Sequence, residues 1–444
     1  MNIDLSVENI KDNLIESIQE IIKIPSVISD STDKFPFGEN IDNALTKTLE
    51  LCESLGFKTY YKDGYYGYAE IGQGDEMLGI LGHLDVVPEG ETNDWKHDPY
   101  GAIIEDNKLY GRGTQDDKGP TIAAIYAVKA LMNLDVKFNK RIRFIFGTDE
   151  ENLWGGISKY VEHEEIPSYG FTPDSVFPMI NAEKGLLQAN IKCSNSSDIK
   201  LNGGNAYNAV PDRITYSGGN LDALSKELDN LNFEYTSDIN SLSVTGKSSH
   251  ACNPHYGINA ISRLCIALNN IGVKSNTIEF IANIIGETYN GDNILPNCED
   301  EASGKLTLNL GKINIDENIE QIGLDIRIPV TVEKEKIVNA LKEKLSKYNL
   351  EYEEYDYLES IYIPADHFLI KTLQKVYEEE TGLDSTPLSS GGATYARAID
   401  NCVAFGAVFP NRPKVEHQAN EYIEIEDLIK STKIYAKAVY ELTK

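Results

Sequence analysis

The sequence lacks a membrane-spanning segment, because none of its apolar runs reaches the roughly 18 residues needed to cross a bilayer. No secretory leader is expected in its first residues, because Asp4, Glu8 and Asp12 occupy the region where a leader carries basic and then apolar residues. The six cysteines are scattered without a CxxC pair, which is typical of reduced thiols rather than of a disulfide framework. These absences predict a cytoplasmic protein.

Basic residues are also scarce: 41 Lys and Arg stand against 70 Asp and Glu, a formal net charge of −29. Such a surface repels phosphate groups, so neither nucleic acid nor an anionic membrane is an expected partner. No internal repeat or low-complexity segment occurs. With 444 residues, 41% of them hydrophobic, the chain is a folded protein that is too long for one ordinary core, which predicts two domains.

The first third of the chain alternates strand and helix patterns. The apolar run 77–83 is typical of a strand buried on both faces, 119–134 has helical spacing, and 141–151 is a strand with a polar end. This order predicts an α/β fold, with a mostly parallel mixed sheet flanked by helices. Functional groups of such a sheet lie at the carboxyl ends of its strands.

The pattern changes after about residue 190. An alternating stretch at 305–315 and a helical run at 332–348 indicate a mixture of antiparallel strands and helices. From about residue 361 a long helix and the apolar segment 402–410 return to the earlier type. We therefore predict a catalytic domain of residues 1–190 plus 361–444, with residues 191–360 inserted as an α+β lid domain.

Polar clusters follow the predicted strands: His83 with Asp85, the pair Asp116–Asp117, the run 148–151, Asp174, and His417 near the end of the chain. Each has an ordinary explanation by itself, such as a core histidine or a solvated loop. Two charges at the start of an apolar helix, and three consecutive carboxylates after an apolar strand, are costly without a cation. The clusters together predict a metal site.

Imidazole and carboxylate ligands suit Zn²⁺, and also Mn²⁺ or Co²⁺. Alternate residues of an extended segment share a face, so Asp85 can accept a hydrogen bond from the ring nitrogen of His83 that does not face the metal. A pair of metals also needs a bridging carboxylate and a further carboxylate that acts as a base.

Ordered motifs along nearly the whole chain carry a family resemblance. They are GHLDVVPEG (82–90), W-x-x-DP (95–99), YGRGTQDDKGP (110–120), TDEE (148–151), FTPDSVFPMINAEKG (171–185), GKSSHACNP (246–254) and the late His417. The sequence resembles the co-catalytic zinc peptidase family that includes PepV-type dipeptidases, glutamate carboxypeptidases and aminoacylases. It is most similar to the PepV-type branch.

The resemblance implies two divalent metal ions, zinc first, with manganese or cobalt as alternatives. It implies that one carboxylate bridges both metals and that two further residues complete each site. The bridging residue is Asp116, the first pair is His83 with Asp174, and the second pair is Glu151 with His417. It further implies that Glu150 is the general base, that Asp85 orients His83, and that the Asp116–Asp117 peptide bond is cis.

The resemblance also implies a set of substrate-binding residues. His250 becomes the oxyanion donor, and Arg327 binds the terminal carboxylate of the substrate. Asn208 and the backbone N–H groups of a glycine-rich turn are further candidates for substrate contacts; the turn residues are Gly392, Ala393 and Thr394. The long lid of the PepV type supplies its histidine within one chain, which predicts a monomer.

The expected activity is hydrolysis of the peptide bond of small dipeptides. A deacylase of N-acyl amino acids, of the acetylornithine or succinyl-diaminopimelate type, shares every metal residue and remains the alternative. A non-catalytic binding protein on the same fold would be expected to lack Glu150 or a metal ligand, and the sequence retains all of them. A purely structural role is disfavoured because buried carboxylates without a cation are expensive.

Overall fold

The computed structural model of the protein describes residues 1–194 and 199–444. The described chain divides into two compact units. The first unit comprises Met1–Asn181, Ile363–Leu388 and Ala393–Lys444, and the second comprises Ala182–Tyr362 and Ser389–Gly392. Among the described residues, no helix combines the length and the apolar character needed to cross a membrane.

The strands and helices are numbered in chain order. The strands are β1 Lys58–Lys62, β2 Tyr66–Gly72, β3 Met77–His83, β4 Ile103–Glu105, β5 Lys108–Tyr110, β6 Arg141–Gly147, β7 Tyr169–Thr172, β8 Ser175–Val176, β9 Ile180–Glu183, β10 Gly185–Cys193, β11 Leu201–Gly203, β12 Arg213–Tyr216, β13 Tyr235–Ser237, β14 Leu242–Thr245, β15 Glu299–Asp300, β16 Gly304–Lys305, β17 Thr307–Ile315, β18 Glu320–Ile328, β19 Glu351–Leu358, β20 Ile361–Tyr362, β21 Leu388–Ser390, β22 Cys402–Ala404, β23 Ala407–Val408 and β24 Tyr422–Glu424. The α-helices are α1 Ile3–Glu8, α2 Lys11–Ile22, α3 Glu39–Leu55, α4 Lys118–Met132, α5 Gly155–His163, α6 Leu221–Asn230, α7 Ala260–Asn270, α8 Asn276–Phe280, α9 Lys334–Ser346, α10 Phe368–Thr381 and α11 Ile425–Thr443.

The first unit is built on a mixed sheet whose strands run in the order β1-β2-β6-β3-β7-β22-β9. Its centre is parallel, since β3 pairs with both β6 and β7, and β7 pairs with β22, in parallel register. All seven residues of β3 are buried, as its unbroken apolar run predicts. The predicted α/β class with a mixed sheet is confirmed; the parallel pairings are the central ones, and antiparallel pairings stand at both ends of this order.

Helix α4 lies at the centre of the first unit's core. It is buried along almost its whole length, because its sequence is apolar on every side. Helices α2 and α11 pack against α4. They shield its apolar surface from water, so α4 needs no polar face. The first turn of α4 immediately follows Asp116 and Asp117, and this fixed helix start holds the two carboxylates at the edge of the sheet.

The second unit contains an antiparallel sheet in the order β11-β17-β18-β10-β19, and a smaller sheet in the order β12-β14-β13. Its core includes apolar residues of helices α6, α7 and α9, which gives the α+β composition predicted for the insertion. The unit begins at Ala182 rather than at residue 191, because β9 continues into β10 after a single residue, before the polar stretch.

Candidate active site

The polar clusters predicted from the sequence follow neighbouring parallel strands. His83 is the last residue of β3, and Asp174 lies two residues beyond the end of β7. Glu150 and Glu151 follow β6, which is the other neighbour of β3. Because carboxyl ends of parallel strands share one edge of a sheet, these side chains converge there.

Asp116 is the centre of the converging group. Its Oδ1 lies 2.9 Å from Nε2 of His83, and its Oδ2 lies 3.1 Å from Nε2 of His417. His417 Nε2 is also 3.1 Å from Oε1 of Glu151, and Asp174 Oδ2 is 3.8 Å from His83 Nε2. The structure thus brings together all five residues predicted as metal ligands, although they come from distant parts of the sequence.

The backbone shows two further features of this group. The Asp116–Asp117 peptide bond is cis, as the resemblance predicts. His417 has a φ of 61°, in the left-handed region that residues other than glycine seldom occupy. A left-handed conformation at such a residue persists where the surrounding structure determines it, and it is common at binding sites.

The contact between Asp85 and His83 differs in detail from the prediction. The ring Nδ1 of His83 lies 2.9 Å from the backbone carbonyl oxygen of Asp85 and 3.6 Å from its carboxylate. The carboxylate instead accepts hydrogen bonds from the backbone N–H groups of Glu150, at 3.1 Å, and Glu151, at 3.0 Å. The backbone carbonyl of Asp85 therefore contacts His83, and its carboxylate contacts the backbone of Glu150 and Glu151. The segment after β6 brings these two N–H groups within reach of the carboxylate.

Burial and like charges perturb the carboxyl groups. Burial raises the pKa of Glu150 and of Asp174 well above the ordinary values, and neighbouring carboxylates reinforce the shift. Burial also raises the pKa of Glu151, and it raises that of Asp117 to about 7. Burial would raise the pKa of Asp116 as well, but its hydrogen bonds with His417 and His83 outweigh this and lower it.

The histidines respond in the opposite sense. Hydrogen bonds with Asp116 and Glu151 raise the pKa of His417 to about 11. Burial alone would lower the pKa of His83, yet its contacts with Asp116 and Asp85 raise it well above the ordinary value. These shifts follow from the burial of several carboxylates beside two imidazoles, which hydrogen-bond to them.

The donor set fits divalent metal ions. One ligand atom each of His83, Asp116 and Glu151 lie within 4.8 Å of one another, and so do those of His83, Glu150 and Asp174. Oδ1 of the buried Asp117, beside this group, has no hydrogen-bond partner among the described residues. Nitrogen and carboxylate donors at such separations match the ligand preference of zinc, manganese and cobalt.

The second unit contains several of the residues predicted to contact substrate. Asn208 and His250 lie on adjacent extended segments: Ala209 and His250 form an antiparallel bridge, and the carbonyl of Asn208 accepts a hydrogen bond from the N–H of Ala251 at 2.8 Å. Nδ1 of His250 lies 2.9 Å from Sγ of Cys252. The oxyanion role of His250 and the substrate contact of Asn208 stay predictions.

Arg327 is more engaged than a solvent-facing arginine. Its side chain is 3% exposed, and the carboxylate of Asp325 accepts hydrogen bonds from Nε at 2.6 Å and from Nη2 at 2.9 Å. Nη1 donates to the carbonyl of Gly391 at 2.7 Å. Three of the five N–H donors of a guanidinium are therefore used within the second unit.

The glycine-rich turn is also partly engaged. The N–H of Gly392 donates to Oγ of Ser390 at 2.9 Å, because a serine two residues earlier favours such a turn. Thr394 caps the short helix that follows it by accepting from the N–H of Ala396 at 3.2 Å. Ala393 and Thr394 belong to the first unit, whereas Gly392 belongs to the second. The anion-binding role of the turn stays a prediction.

Two groups near the metal cluster were not predicted from the sequence. Trp154 donates its indole N–H to the carbonyl of Glu150 at 2.8 Å, and its ring packs edge-on against Tyr395, with centroids 5.4 Å apart. Arg112 and Glu421 form a buried ion pair between the two segments that carry Asp116 and His417. An arginine inside a glycine-rich turn, and a glutamate four residues after His417, are the sequence signals of the second group.

Comparisons with known proteins agree with this geometry. A protein-family model described as Peptidase family M20/M25/M40 matches residues 79–441. The chain is 39% identical to "Putative dipeptidase YtjP" of Bacillus subtilis (strain 168), covering 100% of both chains. It is 34% identical to "Beta-Ala-Xaa dipeptidase" of Lactobacillus delbrueckii subsp. lactis, covering 98% of this chain and 97% of that one.

Solved structures share the fold. Human carnosine dipeptidase 1 aligns with a TM-score of 0.62 at 17% identity, over 99% of this chain and 98% of that one. The YXEP protein of Bacillus subtilis, described as a dinuclear metal binding peptidase from M20 family, aligns with a TM-score of 0.55 at 11% identity, over 98% and 99% of the two chains.

The fold, the cluster of imidazole and carboxylate donors, and these matches define a metal-dependent exopeptidase. The chain belongs to peptidase family M20/M25/M40, whose model covers most of its length.

Proposed function

We propose that this protein is a dipeptidase that uses two divalent cations to hydrolyse the peptide bond of small dipeptides carrying a free amine and a free carboxylate. The two relatives described above are named dipeptidases, and one of them is 39% identical over the whole chain. The substrate class and the individual roles given below are part of the proposal.

The arrangement of Asp116 is the observation that carries the proposal. Its two carboxylate oxygens face different histidines, His83 at 2.9 Å and His417 at 3.1 Å. A carboxylate with its oxygens turned to two donor groups is suited to bridge two cations. His83 and Asp174 would then complete one metal site, and Glu151 and His417 the other. Zinc is the proposed metal, with manganese or cobalt as alternatives.

Glu150 is the proposed general base. Bound cations would polarise the scissile carbonyl and acidify the attacking water. The Glu150 carboxylate takes the proton of that water and passes it to the leaving amine. Its backbone is held at two points, by the carboxylate of Asp85, just after β3, and by the indole of Trp154, just before α5.

Substrate recognition is assigned to the residues of the second unit and of the glycine-rich turn. His250 supplies a donor to the developing oxyanion. Arg327, which retains two N–H donors beyond those given to Asp325 and Gly391, binds the substrate carboxylate. Asn208 is proposed as a further contact, together with the turn residues Gly392, Ala393 and Thr394.

The protein is further proposed to act as a cytoplasmic monomer. Support for the monomer comes from the outer strand β19, which carries Glu351, Glu353, Glu354 and Asp356 along one edge of the second unit's sheet. Charges on an edge strand oppose the addition of a strand from a second copy. The scattered cysteines and the net charge of −29 fit a cytoplasmic location.

A deacylase of N-acyl amino acids would use the same metal residues, but the relatives above are named dipeptidases, which disfavours it. The test is to strip the protein of metal, reload it with Zn²⁺, Mn²⁺ or Co²⁺, and assay dipeptides beside N-acetyl amino acids. We expect metal-dependent cleavage of free dipeptides and little release of acetate. Failure of every metal to restore dipeptide cleavage, or preference for the acetylated substrates, would contradict the proposal.

A further inference from the structure

The segments that carry Asp116 and His417 leave one antiparallel ladder at the same end. Strand β5 ends at Tyr110 and leads into the Asp116 segment, while β24 begins at Tyr422, just after the His417 segment. Tyr110 and Tyr422 are paired in that ladder. Beyond it, however, neither segment is a regular helix or strand until α4 begins, so other contacts must fix the distance between the two side chains.

Glu421 supplies the first of these contacts. Its side chain is fully buried, and Oε1 accepts hydrogen bonds from the backbone N–H groups of Gly113 at 3.0 Å, Gln115 at 2.9 Å and Asp116 at 3.3 Å. One carboxylate oxygen from the His417 segment therefore organises the turn that ends in Asp116, and it contacts that residue's own backbone.

Arg112 makes the reciprocal contact from the Asp116 segment. Its guanidinium, 2% exposed, donates from Nη1 to Oε2 of Glu421 at 2.7 Å and to the carbonyl of Gln418 at 3.2 Å. Gln418 directly follows His417. The Cζ atom of the guanidinium lies 5.2 Å from the centroid of the Trp95 ring, in a cation–π contact.

Gln115 adds a third connection. Its side-chain oxygen accepts from the N–H of Val415 at 2.9 Å, and its amide group donates to the carbonyl of Pro413 at 3.4 Å. Hydrogen bonds from Arg112, Gln115 and Glu421 thus reach the backbone on both sides of His417 and the backbone of Asp116. We call these three residues the inter-loop clamp.

The other side of Asp116 is fixed independently. Oδ2 of Asp117 accepts a hydrogen bond from the backbone N–H of His83 at 3.3 Å and another from the hydroxyl of Thr121 at 2.7 Å. Asp116 is therefore tied to the end of β3 without help from the clamp. Loss of the clamp should release the His417 segment while leaving the relation of Asp116 to His83 intact.

We propose that the inter-loop clamp is a positioning device for one of the two metal sites, the one completed by Glu151 and His417. The inference rests on the proposed function, since it assumes two cations bridged by Asp116. Residues that orient metal ligands typically contribute about 10- to 100-fold to metal affinity. The clamp should therefore act on the affinity of one metal equivalent and not on that of the other.

The test titrates the metal-free full-length protein with Zn²⁺ against a competing chelator, and records the Co²⁺ absorption spectrum at each equivalent. Glu421→Gln keeps the size of the side chain but removes its charge, and Gln115→Ala removes the partly exposed connection, where folding is at less risk. We expect Glu421→Gln to weaken one equivalent about 10- to 100-fold, with a smaller effect of Gln115→Ala on the same equivalent. His417→Ala identifies that equivalent by abolishing it.

Glu70→Gln is the matched control. It breaks another largely buried ion pair of the first unit, with Arg143, that contacts none of the proposed metal ligands. We expect it to lower the unfolding midpoint and to leave both metal affinities unchanged. Circular dichroism establishes that each variant is folded, and Gln115→Ala decides the matter if Glu421→Gln is not.

Two results would overturn the inference. One is that folded clamp variants bind both equivalents as tightly as wild type, and the other is that both equivalents weaken equally. If this occurs while the wild-type protein binds two metals and cleaves dipeptides, the inference fails and the proposed function stands. A wild-type protein that binds fewer than two metals would contradict both the inference and the proposed function.

Discussion

Replacement of Asp85 by asparagine separates two ways in which this residue can serve the site. Its carboxylate accepts the N–H groups of Glu150 at 3.1 Å and Glu151 at 3.0 Å, and lies 3.6 Å from Nδ1 of His83. Asparagine offers one oxygen and turns an amide donor toward the other N–H. Hydrogen bonds to charged groups contribute about 1.5–3 kcal/mol, so loss of one and weakening of the other should cost about 2–4 kcal/mol of unfolding free energy.

The same change should move the backbone of the proposed base. Since a displacement of about 1 Å in a reacting group can reduce the rate about 100-fold, we expect kcat of Asp85→Asn to fall about 10- to 100-fold at saturating metal. Urea unfolding gives the change in stability, and steady-state kinetics on a dipeptide gives the change in kcat.

Asp300→Asn is the matched control for this prediction. Its carboxylate also accepts two backbone N–H groups, from Ser303 at 2.5 Å and Thr331 at 2.8 Å, but it lies in the second unit on loops that carry none of the predicted site residues. We expect it to lose stability without a comparable fall in kcat. If Asp85→Asn has the unfolding free energy of wild type and a kcat within twofold of wild type, the carboxylate of Asp85 does not hold the Glu150 backbone, and the reasoning is refuted.

Three further predictions concern the base, the charge of the site and the assembly. Glu150→Gln should lower kcat about 10²- to 10⁴-fold while metal analysis still finds two cations; retained turnover would exclude Glu150 as the base. The metal-free protein should lose stability from pH 5 to 8 in urea unfolding. Burial raises the pKa of Asp117 from 3.8 to about 7, so between these values its folded form holds a proton that its unfolded form has released, which amounts to about 3 kcal/mol between pH 5 and 7. The raised pKa of His417 acts in the same direction above pH 6.5, and a stability that increased over this range would contradict the account. Sedimentation should give a single species of 49.4 kDa, whereas a dimer would show that the acidic strand β19 does not prevent association.

The grouping of the metal ligands could be anticipated from the sequence because it depends on features close together in the chain. An apolar strand that ends in a polar residue can be recognised from about ten residues, and parallel pairing then places such ends side by side. His83 at the end of β3 and Asp174 just after β7 are of this kind. His417 does not directly follow a strand of the main sheet; the sequence offered it only as a further polar cluster, and the family resemblance assigned it to a particular metal.

Contacts between a side-chain carboxylate and a distant backbone N–H group could not be anticipated in this way. The N–H of Glu150 that Asp85 accepts lies 65 positions further along the chain, and Gln115 is separated from Glu421 by 306 positions. Any of several carboxylates could satisfy those N–H groups as far as the sequence is concerned. The choice is made when the segments after β6 and before β24 are packed, and that is a property of the tertiary structure.

Arg327 lies between these cases. The sequence alone places this arginine on a strand, and the family resemblance implies that it binds the carboxylate of the substrate. Asp325 precedes it by two residues, and alternate residues of a strand share one face, so a bidentate pair between them was open to prediction from the sequence alone. The pair fixes the plane of the guanidinium and directs Nη1 to the carbonyl of Gly391, beside the predicted turn. An arginine held in this manner loses little further freedom when it binds a carboxylate, so the buried pair with Asp325 is compatible with substrate binding by the two remaining donors.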